Sequence, residues 1–195
     1  FALKDRINPE GDKQYSDLFR YDNLIILNKG ISETDAKLDE ILEPLVKDEL
    51  LIHQEPYKVV NDKKSLDIYL MSPKYTNKQF YKYFNLKEKD NNKKLKLNNK
   101  GVIITPKVAE RFELEIGDEL TIESLNNKEY KLKVSGITEN YVSNYIYISK
   151  DYYKEIFGSD ALYNVIASTN VEKNTNKIAN ELLKEENIVS INFSK

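Results

Sequence analysis

The 195 residues contain no cysteine, no tryptophan and a single histidine, His53. Without cysteine there are no disulfides, thiolate metal sites or cysteine nucleophiles. One imidazole excludes every mechanism that needs two. No stretch approaches the roughly 18 consecutive apolar residues of a membrane span. The longest apolar runs, such as Leu24-Ile25-Ile26-Leu27, have the length of a strand. Charge of one sign is also scarce. The formal net charge is -2, which gives no broad attraction to nucleic acid or an acidic surface. Gly136 and Gly158 stand alone, so no glycine-rich phosphate loop is present. No acidic spacing matches an EF-hand or a local glycosidase pair. The chain opens at Phe1 without Met, which we read as an excision boundary, with targeting information expected outside the fragment.

What remains is a globular composition. Apolar residues make up 40% and charged residues 32%, enough for one moderate domain or two small subdomains with a real core. Residues 8–20 read as an amphipathic helix. Tyr21–Asn28 reads as a strand buried on both faces, ended by Lys29-Gly30. Ser32 is the expected cap of a helix carrying Leu38, Ile41, Leu42 and Leu45 on one stripe, with Pro44 at its end. Strands are expected over 49–61 and 65–71, joined by a turn at Asn61-Asp62-Lys63-Lys64. Pro56 argues against a continuous central strand in the first. Phe80–Leu86 reads as a further strand, with a helix as the alternative, and Lys87–Lys100 as a mobile polar loop or boundary.

The second half is more regular. Val102–Ile104 forms a strand, Pro106 opens a helix to about residue 112, and Gly117 supplies a tight turn. Leu120 and Ile122, then Tyr130, Leu132 and Val134, alternate with polar residues around an Asn126-Asn127 hairpin. A strand at 145–149, a short helix to Phe157, a strand at 162–169, a helix at 175–186 and a strand at 188–193 complete the chain. The fold class is α+β. We expect an outer subdomain of residues 1–86 and 158–195 with the strand–helix–strand units of a ferredoxin-like fold, and an inserted β-rich, barrel-like subdomain at 87–157.

The segment from Gly101 through Pro106, Ala109, Phe112, Gly117-Asp118 and Ile122, followed by Ser135-Gly136-Ile137 and Tyr145-Ile146-Tyr147-Ile148-Ser149, resembles the extracytoplasmic domain between the first two membrane helices of FtsX/MacB-type ABC transporter permeases. The opening, Phe1-Ala2-Leu3-Lys4-Asp5, Asp12-Lys13-Gln14 and Phe19-Arg20-Tyr21-Asp22, resembles the segment leaving the first membrane helix in long Gram-positive permeases. The resemblance implies a porter-like part and a sabre-like insertion. It also implies no catalytic residues and no cofactor, and a place on the extracellular side of a Gram-positive-like cell membrane. The implied partners are the permease's transmembrane helices, its cytoplasmic ATPase subunit, and an extracellular peptide or protein. No nucleic acid is implied, and the isolated domain is expected to be monomeric. The expected job is to couple ATP-driven helix motion to a lipoprotein, peptide or cell-wall enzyme. A stand-alone peptide-sensing module is the alternative.

Each candidate residue also has a simpler structural role. His53 beside Gln54 and Glu55 could act as a general base only if the fold supplied a nucleophile and an acid. A solvent-facing strand residue is the favoured reading. Asp62, Asp67, Asp118 and Asp151 have no spacing that pairs them. Lys93, Lys94 and Lys96 lie near the aromatics at 80–84, which would suit a single nucleic-acid strand. The run is short and diluted by Glu88 and Asp90, so a solvated loop is favoured. Among the 14 tyrosines, Tyr141, Tyr145 and Tyr147 cluster near one turn and are the candidate partner contacts. Burial is the competing role for Tyr145 and Tyr147, which share one strand face.

Overall fold

The computed structural model describes residues 20–76, 78–88, 91–139, 144–171 and 174–193. The expected helix at 8–20 lies outside the described residues, apart from Arg20. Among the described residues, nine strands form one mixed sheet: β1 (Asn23–Ile31), β2 (Val46–Val60), β3 (Ser65–Pro73), β4 (Val102–Ile104), β5 (Glu119–Glu123), β6 (Glu129–Ile137), β7 (Tyr145–Tyr147), β8 (Tyr163–Asn170) and β9 (Ile188–Phe193). The described helices are α1 (Ala36–Leu42), α2 (Lys78–Tyr83), α3 (Pro106–Arg111), α4 (Lys150–Phe157) and α5 (Thr175–Leu182). The chain is therefore α+β, as the sequence predicts.

The strand order is β3-β7-β4-β6-β5-β2-β8-β1-β9, and β3 also pairs with β2. That extra ladder closes β2, β3, β7, β4, β6 and β5 into a ring of six strands. The remaining strands extend outward from β2. Both β1 and β2 run antiparallel to β8, and both β8 and β9 run antiparallel to β1. Each helix-linked pair, β1–α1–β2 and β8–α5–β9, thus straddles one intervening strand. The first and last described strand residues, Asn23 and Phe193, face each other across the β1–β9 ladder.

Three cores follow from this arrangement. Inside the ring, Val59, Ile68, Leu70, Val102, Ile104, Val108, Ile122, Leu132 and Ile146 pack together with Tyr152 and Tyr153 of α4. On one face of the outer strands, Leu38 and Leu42 of α1 and Ile178 and Leu182 of α5 cover Ile25, Leu27 and Ile166. On the other face, Phe80, Tyr83 and Phe84 cover Leu50, Ile52, Val165 and Ala167, with Leu24 and Ile26 packed alongside. β1 is thus covered on both faces, as its unbroken apolar centre predicts.

Several expectations need correction. Asp35, not Ser32, caps α1: its side chain accepts from the Leu38 N–H at 2.8 Å. Phe80–Leu86 opens as a helix. Phe80, Tyr83 and Phe84, spaced i, i+3 and i+4, are all fully buried. Strand alternation would instead have pointed exposed Lys82 to the same side as Phe80 and Phe84. Pro56 sits inside the continuous strand β2, where it faces Tyr69 of β3. The Gln54 N–H turns away from β3 to Asn164 Oδ1, and residue 56 shares that parity. On that side β8 pairs with β2 only as far as Ile52, and β5 begins only at Lys58. The missing N–H of Pro56 therefore falls in a gap between ladders and costs no bond. Finally, the ring takes β2 and β3 from residues before 87, so the expected boundary at 87 divides a closed unit.

Candidate partner-binding face

Alternation along β3 turns Ile68 and Leu70 into the ring and Asp67 and Tyr69 outward. Pro56 and Lys58 lie opposite them on β2. Leu125, in the turn of the β5–β6 hairpin, projects toward the same face and is 76% exposed. Together these residues and Asn144 line a groove of about 470 Å3. The backbone under it is fixed. The Tyr69 N–H donates to the Asn144 carbonyl at 3.0 Å, and Asn144 Nδ2 donates to the Asp67 carbonyl at 3.3 Å.

The tyrosines predicted from sequence divide across this face. Tyr145 is half-buried, is in register with Tyr69 across the parallel β3–β7 ladder, and its ring centroid lies 6.2 Å from that of Tyr69. Tyr147 is only 1% exposed and packs with Phe80, Tyr83 and Ile103. Burial pushes its hydroxyl pKa well up. Its partner-contact role is corrected to a core role, because no surface remains for a partner to meet. Tyr141 lies outside the described residues. Sequence reasoning missed Tyr69 and Leu125. The period-2 pattern of residues 66–70 would have placed Tyr69 outward, and Leu125 beside the Asn126-Asn127 turn was a tip residue from the start. An exposed ring and an aliphatic tip, rimmed by Lys58 and Asp67, suit non-covalent protein contact.

His53 occupies a different junction. Its side chain is only 13% exposed, which corrects the solvent-facing expectation. Nδ1 lies 2.7 Å from the Leu162 carbonyl, and Nε2 lies 3.2 Å from Glu55 Oε2. The ring meets Tyr153 edge-on with centroids 5.1 Å apart, and the Tyr57 hydroxyl donates to the same Glu55 oxygen at 3.1 Å. The hydrogen bond from His53 holds the Glu55 carboxyl below the usual carboxylate range. Burial opposes this, while the His53 charge and Tyr57 add to it. Burial, followed by the nearby Glu55 charge, pushes the Tyr153 hydroxyl up to about 12. With both nitrogens engaged, His53 pins the loop before β8 to β2 and has none free to serve a nucleophile.

The four aspartates do not act together. Asp118 Oδ2 accepts from the Glu115 N–H at 2.7 Å and closes the turn in which Gly117 takes φ +97°. Asp151 lies in the first turn of α4. Asp62 is in the exposed β2–β3 turn, and Asp67 rims the groove. Among the described residues, no three His, Asp or Glu side chains group closely enough to hold a metal ion.

In structure, the chain is similar to the extracellular domain of the noncanonic ABC-type transporter YknZ from Gram-positive bacteria. Identity is 14%, with 90% of this chain and 100% of that chain covered and a TM-score of 0.51. It is also similar to the periplasmic region of MacB from Actinobacillus actinomycetemcomitans, at 14% identity, 94% coverage of each chain and a TM-score of 0.49. No curated protein matches the sequence. The sequence model of one family, the MacB-like periplasmic core domain, matches residues 10–185. That span takes in every described helix and all strands but the last, and on it the chain belongs to the MacB-like periplasmic core domain family.

Proposed function

We propose that this chain is the extracytoplasmic, non-enzymatic domain of an ABC transporter permease, on the extracellular side of a Gram-positive-like membrane. It couples ATP-driven movement of transmembrane helices to an extracellular lipoprotein, peptide or cell-wall enzyme. Family membership supports the setting. One observation carries the coupling: the first and last strands are paired at Asn23 and Phe193, and β8 and β2 connect them without a break to the ring. Two membrane helices joined there would move β1 and β9 together. The ladder would pass that displacement along β2, whose far half is a wall of the ring. In this reading β2, β8, β1 and β9 with α1 and α5 form a ferredoxin-like, porter-like part. The ring is the barrel-like, sabre-like part that presents Tyr69, Tyr145 and Leu125 to the partner. No cofactor is required.

Location and coupling are tested separately in the full-length transporter. An Asn91→Cys thiol should react with an impermeant reagent in intact cells; labelling only after lysis rejects the location. Flexible Gly/Ser inserts between the membrane helices and residues 20 and 193 should abolish transport-linked function and spare basal ATPase activity. Normal function with both inserts rejects mechanical coupling. Peptide binding by the isolated chain would then favour a stand-alone sensing module, for which the Tyr69–Leu125 groove is the available site.

A further inference from the structure

The segment after Leu86 carries a second surface. Residues 94–97 alternate: Leu95 packs on the aromatic core and Leu97 is buried, so Lys94 and Lys96 both point out. The segment is anchored, since the Leu95 N–H donates to the Leu86 carbonyl at 3.0 Å and the Leu97 N–H donates to the Tyr81 hydroxyl at 3.0 Å. Lys78 and Lys82, one turn apart on α2, approach from the other side. With Tyr81 and Thr76 these four lysines line a cleft of about 560 Å3.

Among the described residues, the charges in this cleft are largely unbalanced. Lys82 pairs with Asp48, and Lys94 stands 5.3 Å from the centre of the Tyr81 ring. Lys78, Lys94 and Lys96 meet no carboxylate among the described residues. The chain as a whole is slightly acidic, at -2, so the cluster is not a share of a generally basic surface. Holding several ammonium groups around one concavity is electrostatically unfavourable unless anions fill it. Flexible lysine stems suit several separate phosphates better than one chelated anion.

Position selects the source of those phosphates. The carbonyl of Tyr83, the residue after Lys82, accepts from the Arg20 N–H at 2.8 Å, and Tyr21 packs on Phe84 with centroids 6.0 Å apart. The cleft therefore adjoins the strand end where Asn23 meets Phe193. We propose that the Lys78–Lys82–Lys94–Lys96 cleft binds the head-group phosphates of anionic lipids in the membrane to which the domain is tethered. This rests on the extracytoplasmic reading above. It adds that one side of the domain leans on the bilayer and that charge sets the lean.

The test is co-sedimentation of the 195-residue chain with phosphatidylglycerol/phosphatidylcholine vesicles and with vesicles of phosphatidylcholine alone. Binding should need phosphatidylglycerol and weaken with added salt. The Lys78→Glu/Lys96→Glu double variant should bind at least roughly tenfold more weakly. Lys107→Glu/Lys133→Glu, which changes net charge equally away from the cleft, should bind like the parent. Circular dichroism and thermal unfolding check that both variants fold. Equal loss in both pairs, or no difference between vesicle types, overturns the proposal. So does displacement from vesicles by inorganic phosphate at low millimolar concentration, which would mark a free-anion site, and so does tighter binding to polyglutamate, which would mark an acidic peptide. The vesicle result does not depend on the Asn91→Cys labelling, so the two readings can fail separately.

Discussion

At the scale of single residues, the junction around His53 gives a pH prediction with a definite sign. The folded chain favours the Glu55 carboxylate and lowers its pKa from 4.5. The stability this contributes is complete above about pH 4.5 and is lost as pH falls through the lower folded value. Glu55→Gln should therefore unfold at lower urea than the parent near neutrality, and the two curves should converge in acid. Parallel curves at every pH would show that the carboxylate charge is not involved. The Glu55 side chain is 44% exposed, so solvent screening keeps the effect small. A larger effect is expected at Gly101, where a Cβ would lie 2.5 Å from the Lys133 carbonyl and 2.9 Å from the Ser135 nitrogen. Backbone cannot yield there cheaply, so Gly101→Ala should cost about 1–3 kcal/mol by denaturant unfolding. Neither residue's role was legible beforehand. His53 and Leu162 are 109 residues apart, and no local pattern announces a carbonyl brought in from that distance.

At the scale of elements, local signals were read well wherever one period dominated. The Pro106 start of α3, the Asn127 turn with φ 64° and the alternating strands β5 and β6 all fall where the sequence places them. Two readings failed because competing patterns overlapped. The aromatics at 80–84 satisfy both a strand-like composition and a helical spacing, and only Lys82 breaks the tie. Pro56 excludes a paired N–H, not a strand, and its tolerance depended on where neighbouring ladders stop. The outward face of β3 was legible in principle and carries a prediction. Tyr69→Ala with Leu125→Ala should leave the thermal midpoint of the isolated chain nearly unchanged, because both side chains are exposed. In the assembled transporter the same pair should impair transport-linked function; unimpaired function would remove the groove from the partner-binding face. Leu70→Ala, fully buried in the ring, should by contrast cost about 2–5 kcal/mol.

At the scale of the whole molecule, the shared strand decides behaviour. β2 gives its first half to the outer strands and its second half to the ring, so none of the three cores closes without it. We expect one cooperative thermal transition, checked by agreement between calorimetric and van't Hoff enthalpies; two resolved transitions would show the units to be independent. This joint use of β2 was not legible in the sequence. The composition of 87–100 suggests a boundary, but the β2–β3 hairpin on its N-terminal side is as much a part of the ring as of the sheet. The same strand governs what can be exchanged between members of the family. A graft of residues 87–157 alone would leave donor strands β4 to β7 facing a host's β2 and β3, with ladders and ring-core side chains evolved for a different sequence. The smallest transplantable cassette begins inside β2, near Gln54, and runs to Phe157. Its upstream seam falls in the stretch that Pro56 marks, where β2 has a strand ladder on one side only, with β3.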